Sequence, residues 1–320
     1  MARPQQNARL RAVLSHPPVI AAWGAGVDST AMIIELVERG ETPDMVLIAQ
    51  MPEKPQTLSF IPIFQAWMDT HRVPYAVVRY EPRRFKHWPP YADLLENCLT
   101  NGTLPSIAFS RSSCSLKWKV EPQDRWVKAW EPVRQAWKRG QKVVRLIGYD
   151  CSPRDNQRYA HQDGHVSDLF DYRFPLREWG WTRDDCIRRI EWAGLPQPAK
   201  SSCFFCTGMK PNEVRALPRG YLRLIILMEA RAAPRLRTVE GLWRKGTKGM
   251  RGREARPGSM TEFIRTERLL PFGEIDDIVA HAPADLIAFL DAAASVPLVE
   301  REPLRTWLDR FNSAADRLAA

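Results

Sequence analysis

Two groups of residues in this chain combine chemistry-bearing types with a spacing that can use them. The first is Gly24-Ala25-Gly26-Val27-Asp28-Ser29-Thr30, which directly follows the apolar run Val19-Ile20-Ala21-Ala22-Trp23. Such a run reads as a strand buried on both faces of a parallel sheet. Glycines at 24 and 26 let the backbone turn tightly and approach a ligand closely. Asp28, Ser29 and Thr30 are N-cap types ahead of the amphipathic run from Ala31 to Arg39. Strand, glycine turn and helix N-terminus together form an anion site from backbone N–H groups and the helix dipole. No lysine follows the turn, and the spacing is neither that of a Walker loop nor G-x-G-x-x-G. The second group is Cys203-Phe204-Phe205-Cys206, a thiol pair at metal-ligand spacing. No thioredoxin-like βαβ context surrounds it, so metal ligation competes mainly with a role as reduced structural cysteines.

The elements that must position these groups alternate along the first half. Met45-Val-Leu-Ile-Ala-Gln50 reads as a second buried strand, followed by a helix from about Leu58 to His71. Pro74-Tyr-Ala-Val-Val78 reads as a third strand, and Val143-Val-Arg-Leu-Ile147 as a fourth, ended by Gly148. Between them, Trp126, Trp130, Val133 and Trp137 recur at helical spacing, which predicts one amphipathic helix from Val120 to Arg139, bent at Pro132. Strands separated by helices predict a doubly wound parallel sheet with its site at the strands' carboxyl ends. Farther on, residues 221–231 read as an apolar helix, 274–293 as an acidic, alanine-rich helical pair, and 302–319 as a terminal amphipathic helix.

Composition narrows the class. A chain of 320 residues buries a large core, and no apolar run reaches the roughly eighteen residues of a membrane span. Residues 1–16 are basic but lack an apolar secretory core, and six cysteines without a disulfide-like pattern fit a reducing, cytoplasmic setting. A formal charge of +10 suits an anionic partner. The excess is densest between Arg231 and Arg256, where nine Lys or Arg face only Glu240 and Glu254. That stretch reads as a flexible basic segment able to follow a phosphate backbone of tRNA or DNA, with Trp243 placed to stack on an unpaired base.

The glycine turn resembles the PP-loop, S-G-G-x-D-S, of ATP pyrophosphatases in the adenine nucleotide alpha-hydrolase superfamily. Gly26, Asp28 and Ser29 match it, while Gly24 stands in the serine position and Ala25 in that of the first glycine. Further segments resemble members close to phosphoadenosine phosphosulfate reductase. Glu53-x-Pro55-x-Thr57 keeps half of the segment after the second strand, and Arg111-Ser-Ser-Cys114-Ser-Leu-Lys117-Trp-Lys119 is similar to R-x-C-T-x-x-L-K. Gly148-Tyr149-Asp150 with Arg154, Asp155 and Arg158 resembles the fourth-strand signature. Pro175-Leu176-x-x-Trp179 and Gly194-Leu-Pro-x-Pro-x-Lys200-Ser-x-Cys203-x-x-Cys206 complete the series in family order.

This resemblance implies a HUP-like adenine nucleotide alpha-hydrolase fold, an α/β doubly wound parallel sheet with a mostly helical C-terminal part. The expected organisation is an N-terminal extension over 1–17, a nucleotide-binding domain over 18–180, and a Cys-containing helical region over 181–320. The implied ligand is ATP with Mg²⁺, cradled by Gly24, Ala25, Gly26, Val27, Asp28, Ser29 and Thr30, with Asp28 on the ion. Gly148, Tyr149, Asp150 and Arg154 are further nucleotide-binding candidates. Lys117, Lys119, Arg154 and Arg158 are candidate partners for phosphate, and Asp28, Lys117 and Arg158 the candidate catalytic residues. Cys114, Cys203 and Cys206 are candidate ligands of a [4Fe–4S] cluster, which Cys186 can complete as a Cys₄ set for iron–sulfur or zinc. Cys98 and Cys151 read as buried small hydrophobes. The implied activity is adenylation of an acceptor with release of pyrophosphate, in the service of sulfur transfer from a sulfur-donor protein to nucleic acid. The alternatives are a sulfonucleotide reductase, which the lack of a cysteine after Cys206 disfavours, and a catalytically reduced nucleotide-binding subunit.

Overall fold

The computed structural model describes residues 14–81, 91–105, 113–160, 166–249 and 254–318; Arg111, Arg251, Arg253 and most of the N-terminal extension lie outside the described residues. The chain divides into two compact units, one from Met1–Arg79 and Lys119–Ser201, the other from Tyr80–Trp118 and Ser202–Ala320. Among the described residues no helix is long and apolar enough to cross a membrane.

The first unit is built on five parallel strands, β1 (Val19–Ala22), β2 (Met45–Ala49), β3 (Tyr75–Val78), β4 (Val143–Leu146) and β5 (Phe170–Arg173), in the order β3-β2-β1-β4-β5. Four strands are those expected. The fifth carries no apolar run: Phe-Asp-Tyr-Arg alternates aromatic with charged residues, as an edge strand exposed along one side permits. Neighbouring side chains on each inner strand point to opposite faces, so each strand feeds two cores. Ala21, Val46, Ile48 and Leu146 pack under α1 (Val27–Glu38) and α2 (Pro55–Thr70), while Ile20, Met45, Leu47 and Val143 pack on the other side. This double burial explains why the strands read as continuous apolar runs.

The helix expected over Val120 to Arg139 is two helices. They are Glu121–Ala129 and Glu131–Lys138, separated by Trp130, whose backbone is extended at φ −73°, ψ 123°. The break falls there because in a continuous helix Pro132 would have no N–H to donate and its ring would meet the Lys128 carbonyl, whereas neither matters in a new first turn. Val127, Trp130 and Val133 fill the second core. Past β4, a short helix, Pro153–Ala160, begins beside the strand end, and Arg183–Trp192 packs along α1. Thr182 and Asp185 form a capping box at the start of the latter.

The second unit is helical. Its centre is Arg219–Ala232, with nine of its fourteen residues buried, against Phe272–Ala294 and the helix Leu94–Asn101, buried over Leu94–Thr100. Residues 272–294 form one helix and not a pair; Pro283 stands inside it without ending it. The region between these helices is ordered around one carboxylate. Glu229, 5 % exposed, accepts hydrogen bonds from Leu242 N (2.7 Å), Met260 N (2.9 Å), Thr261 N (2.8 Å) and Ser259 Oγ (2.6 Å). Glu240 accepts from Gly258 N at 2.9 Å.

Candidate active site

The strand order reverses about β1, with β2 on one side and β4 on the other, so the carboxyl ends of β1 and β4 open the crevice where such sheets bind ligands. A cleft of about 540 Å³ lies there. Gly24, Gly26, Asp28 and Ser29 contribute from the β1 side, and Gly148, Asp150, Arg154, Asp155 and Arg158 from the β4 side. Gly26 is the N-cap of α1, at φ −108° and ψ 174°, so the helix's first free N–H groups face this space. Ala25, in the position of a PP-loop glycine, takes the left-handed φ of 54°, which glycine adopts without strain. Ser29 Oγ accepts from Gly24 N at 3.1 Å and so closes the loop on itself.

The two strand ends approach so closely that only glycine fits at 148. A Cβ there would meet Ser29 Cα at 2.9 Å and Ser29 N at 3.0 Å. This approach brings Asp150 and Asp155 to Asp28, and ligand oxygens of the three lie within 4.8 Å of one another. Asp150 and Asp155 are 2 % and 4 % exposed. Asp150 is held by Ser152 N at 2.9 Å, and Asp155 pairs with Arg158 at 3.2 Å. Burial pushes the Asp28 carboxyl above its ordinary value; Asp150 and Asp155 add to the rise and Arg183 opposes it. Three carboxyl groups, Asp150 and Asp155 buried and Asp28 half-buried, form an all-oxygen donor set of the kind that Mg²⁺ takes.

Cations ring the cleft. Lys119, Arg154, Arg158, Arg183 and Lys200 all line it. Glu53, 6 % exposed, orients two of its walls, pairing with Lys119 Nζ at 3.5 Å and accepting from Ser201 Oγ at 3.1 Å. A neighbouring, mainly apolar cavity of about 260 Å³ opens between the ends of β1 and β2, lined by Trp23, Ala25, Ile48, Met51 and Val77.

Several expected residues stand elsewhere. Lys117 does not line the cleft; its ammonium lies over the rings of Tyr80 and Trp118, and Lys119 supplies the cation. Trp118, in the π-type stretch Leu116–Val120, is 1% exposed. Thr30 is fully buried and accepts from Trp23 Nε1 at 3.0 Å, so its hydroxyl serves the core and not a phosphate. Val27 is likewise core. Tyr149 stacks on Phe174 with Arg158 over its ring, beside the residues that line the cleft. Trp243 is 3 % exposed, donates to Met209 O at 2.9 Å and lies under Arg256, so it has no face for a base.

Cys114, Cys203 and Cys206 fall in the second unit. The pair closes a tight turn, with Cys206 N donating to Cys203 O at 3.0 Å and Gly208 N donating to Cys206 Sγ at 3.4 Å. Phe204 and Phe205 are buried and pack edge to face, Phe204 also on Tyr221. Cys186 belongs to the first unit, fully buried in the core beneath α1, where burial raises its thiol pKa well above the ordinary value. Among the described residues, Asp28, Asp150 and Asp155 are the group of side chains whose ligand atoms lie close enough together to share one ion. Cys98 is fully buried, as expected of a small hydrophobe, and Cys151 is partly exposed.

Neither type nor spacing alone singles out Lys200 or Arg183. Lys200 lies in the Lys-Ser-x-Cys-x-x-Cys segment, a usable signal; Arg183, in a polar run between two motifs, carried none. No family model matches the sequence, and no curated protein does. Among solved structures the chain is similar to a phosphoadenylyl-sulfate (PAPS) reductase from Candida auris in its phosphate complex. The TM-score is 0.36 at 16% identity, covering 60% of this chain and 81% of that one. It is also similar to the U34-tRNA thiolase NcsA from Methanococcus maripaludis with its [4Fe-4S] cluster, at TM-score 0.35 and 11% identity, covering 94% and 85%. The sheet order, the glycine turn after β1 and the cleft at the switch point make the first unit a doubly wound parallel α/β sheet with its candidate site at the strands' carboxyl ends.

Proposed function

We propose that this protein is an ATP pyrophosphatase-type enzyme that adenylates an acceptor and releases pyrophosphate, in the service of sulfur transfer. The observation that carries the reading is the group Asp28, Asp150 and Asp155 beside a glycine turn and helix N-terminus, within a ring of five cations. In the reaction an acceptor oxygen attacks the α-phosphorus, the α–β bridging P–O bond breaks, and pyrophosphate leaves with the electron pair. Backbone N–H groups at Gly26–Ser29 hold the leaving phosphates, and Lys119, Arg154, Arg158 and Lys200 stabilise the charge that develops on them. The three aspartates would hold Mg²⁺, which when bound neutralises phosphate charge. The apolar cavity beside Trp23 and Ile48 is shaped for the purine base.

For the sulfur step, Cys114, Cys203 and Cys206 would hold an iron–sulfur cluster, supported by the Gly208 N–H on sulfur and by the dry aromatic wall of Phe204 and Phe205. The cluster when bound supplies a site for sulfur. The exposed cations Arg235, Arg237, Arg244, Lys245 and Lys248 offer a surface for a nucleic-acid acceptor, held in shape by Glu229 and Glu240. Pyrophosphate release from labelled ATP tests the core of the reading: it is expected from the wild type and lost in Asp28→Ala. Equal rates from both proteins would refute it. Anaerobically isolated protein should contain iron that Cys203→Ala and Cys206→Ala lose; stoichiometric zinc without iron would remove the sulfur-transfer part.

A further inference from the structure

The Asp28 carboxylate is already engaged. Arg183 Nη1 lies 2.7 Å from both Oδ1 and Oδ2, a contact between residues 155 positions apart. Arg183 is the first residue of a helix fixed by its own capping box and by packing along α1, so its backbone is anchored while its side chain stays 40% exposed. It also lines the same cleft as Lys119, Arg154, Arg158 and Lys200. A guanidinium that bridges both oxygens of a carboxylate covers the lone pairs a divalent ion needs, and two cations on one carboxylate repel. A phosphate placed in the cleft offers the same guanidinium a second anion.

Resting on the proposed nucleotide and metal reading, we propose that Arg183 is a positioning residue that makes cation binding at Asp28 conditional on nucleotide. Without nucleotide, Arg183 acts as the counter-ion of Asp28 and keeps the three-aspartate group closed to metal. Triphosphate draws Arg183 away and frees Asp28. Ordered entry follows: nucleotide first or together with the ion, not the bare ion first.

The test is a pair of binding titrations, neither of which needs turnover. Mn²⁺ alone is followed by electron paramagnetic resonance, and ATP with metal removed by chelator is followed by calorimetry. In Arg183→Gln, Mn²⁺ alone should bind about tenfold more tightly and metal-free ATP about tenfold more weakly. Arg183→Lys, which keeps the charge, should stay near the wild type in both, and melting curves register any loss of packing separately. Unchanged or weaker Mn²⁺ binding in Arg183→Gln, with ATP still bound by the wild type, overturns the role of Arg183 alone. If neither protein binds Mn²⁺ or ATP, the nucleotide reading falls and this proposal with it.

Discussion

Replacing Gly148 by alanine adds one methyl group, yet it strikes the junction on which the site depends. The new Cβ would stand 2.9 Å from Ser29 Cα, 3.0 Å from Ser29 N and 3.3 Å from Asp28 C. Ordinary carbon contacts are about 3.5–4.0 Å, so β4 and the first turn of α1 must part by roughly 0.5–1 Å. All three opposing atoms are backbone, and no side-chain rotation relieves the clash. Overpacking of this kind costs about 1–3 kcal/mol. For a domain of 150–250 residues each kcal/mol moves the melting temperature by about 2–4 °C, so a fall of roughly 2–12 °C is expected. The same displacement separates Asp150 and Asp155 from Asp28, so Mg²⁺-dependent ATP binding should weaken as well. Gly26→Ala is the control. A Cβ there meets nothing within 4 Å and φ is −108°, so its melting temperature should stay with the wild type, while Gly26→Val, which crowds the cleft, should weaken ATP binding. Thermal denaturation followed by calorimetry reads the first quantity and titration the second. A Gly148→Ala protein that melts with the wild type would show that the strand end does not press on α1, and the argument for glycine there would fail.

Thr30→Val should cost about 1–3 kcal/mol by leaving the buried Trp23 indole N–H without its acceptor, and should leave ATP affinity unchanged, as chemical denaturation and titration can check. Glu229→Ala strands three backbone donors and the Ser259 hydroxyl; a loss of about 3 kcal/mol or more and rapid proteolysis between residues 236 and 260 are expected, and resistance to protease would contradict it. Asp28 binds its proton more tightly folded than unfolded. Its contribution to stability is therefore favourable at low pH and is lost as pH rises from the ordinary 3.8 through the raised value. Asp28→Asn should thus gain melting temperature relative to the wild type as pH rises from about 4 to 7 without metal, and a constant difference would refute it. Lys119→Met should weaken ATP binding more than Lys117→Met does, since Lys119 alone of the two lines the cleft; equal losses would return Lys117 to the site.

The sequence by itself determined four of the five strands, β1 to β4, and the turn after β1. Strands buried on both faces must be apolar throughout, and a turn that faces a ligand must be built from small residues, so both leave patterns in composition. It did not determine β5, because an edge strand with one exposed side needs no apolar run. Nor did it determine which of the two lysines of one motif lines the cleft, because periodicity separates their faces without saying which face meets the site. Lys119 lines the cleft, while Lys117, two residues before it, lies over Tyr80. Thr30 and Trp243 read as polar or stacking groups from their type, and tertiary packing buried both, because Trp23 needed an acceptor and Met209 O needed a donor. The gathering of Asp28 with Asp150, Asp155 and Arg183 was decided by the tertiary structure alone. These residues are far apart in the chain, and they meet because β4 pairs with β1 and Gly148 lets the two strand ends close.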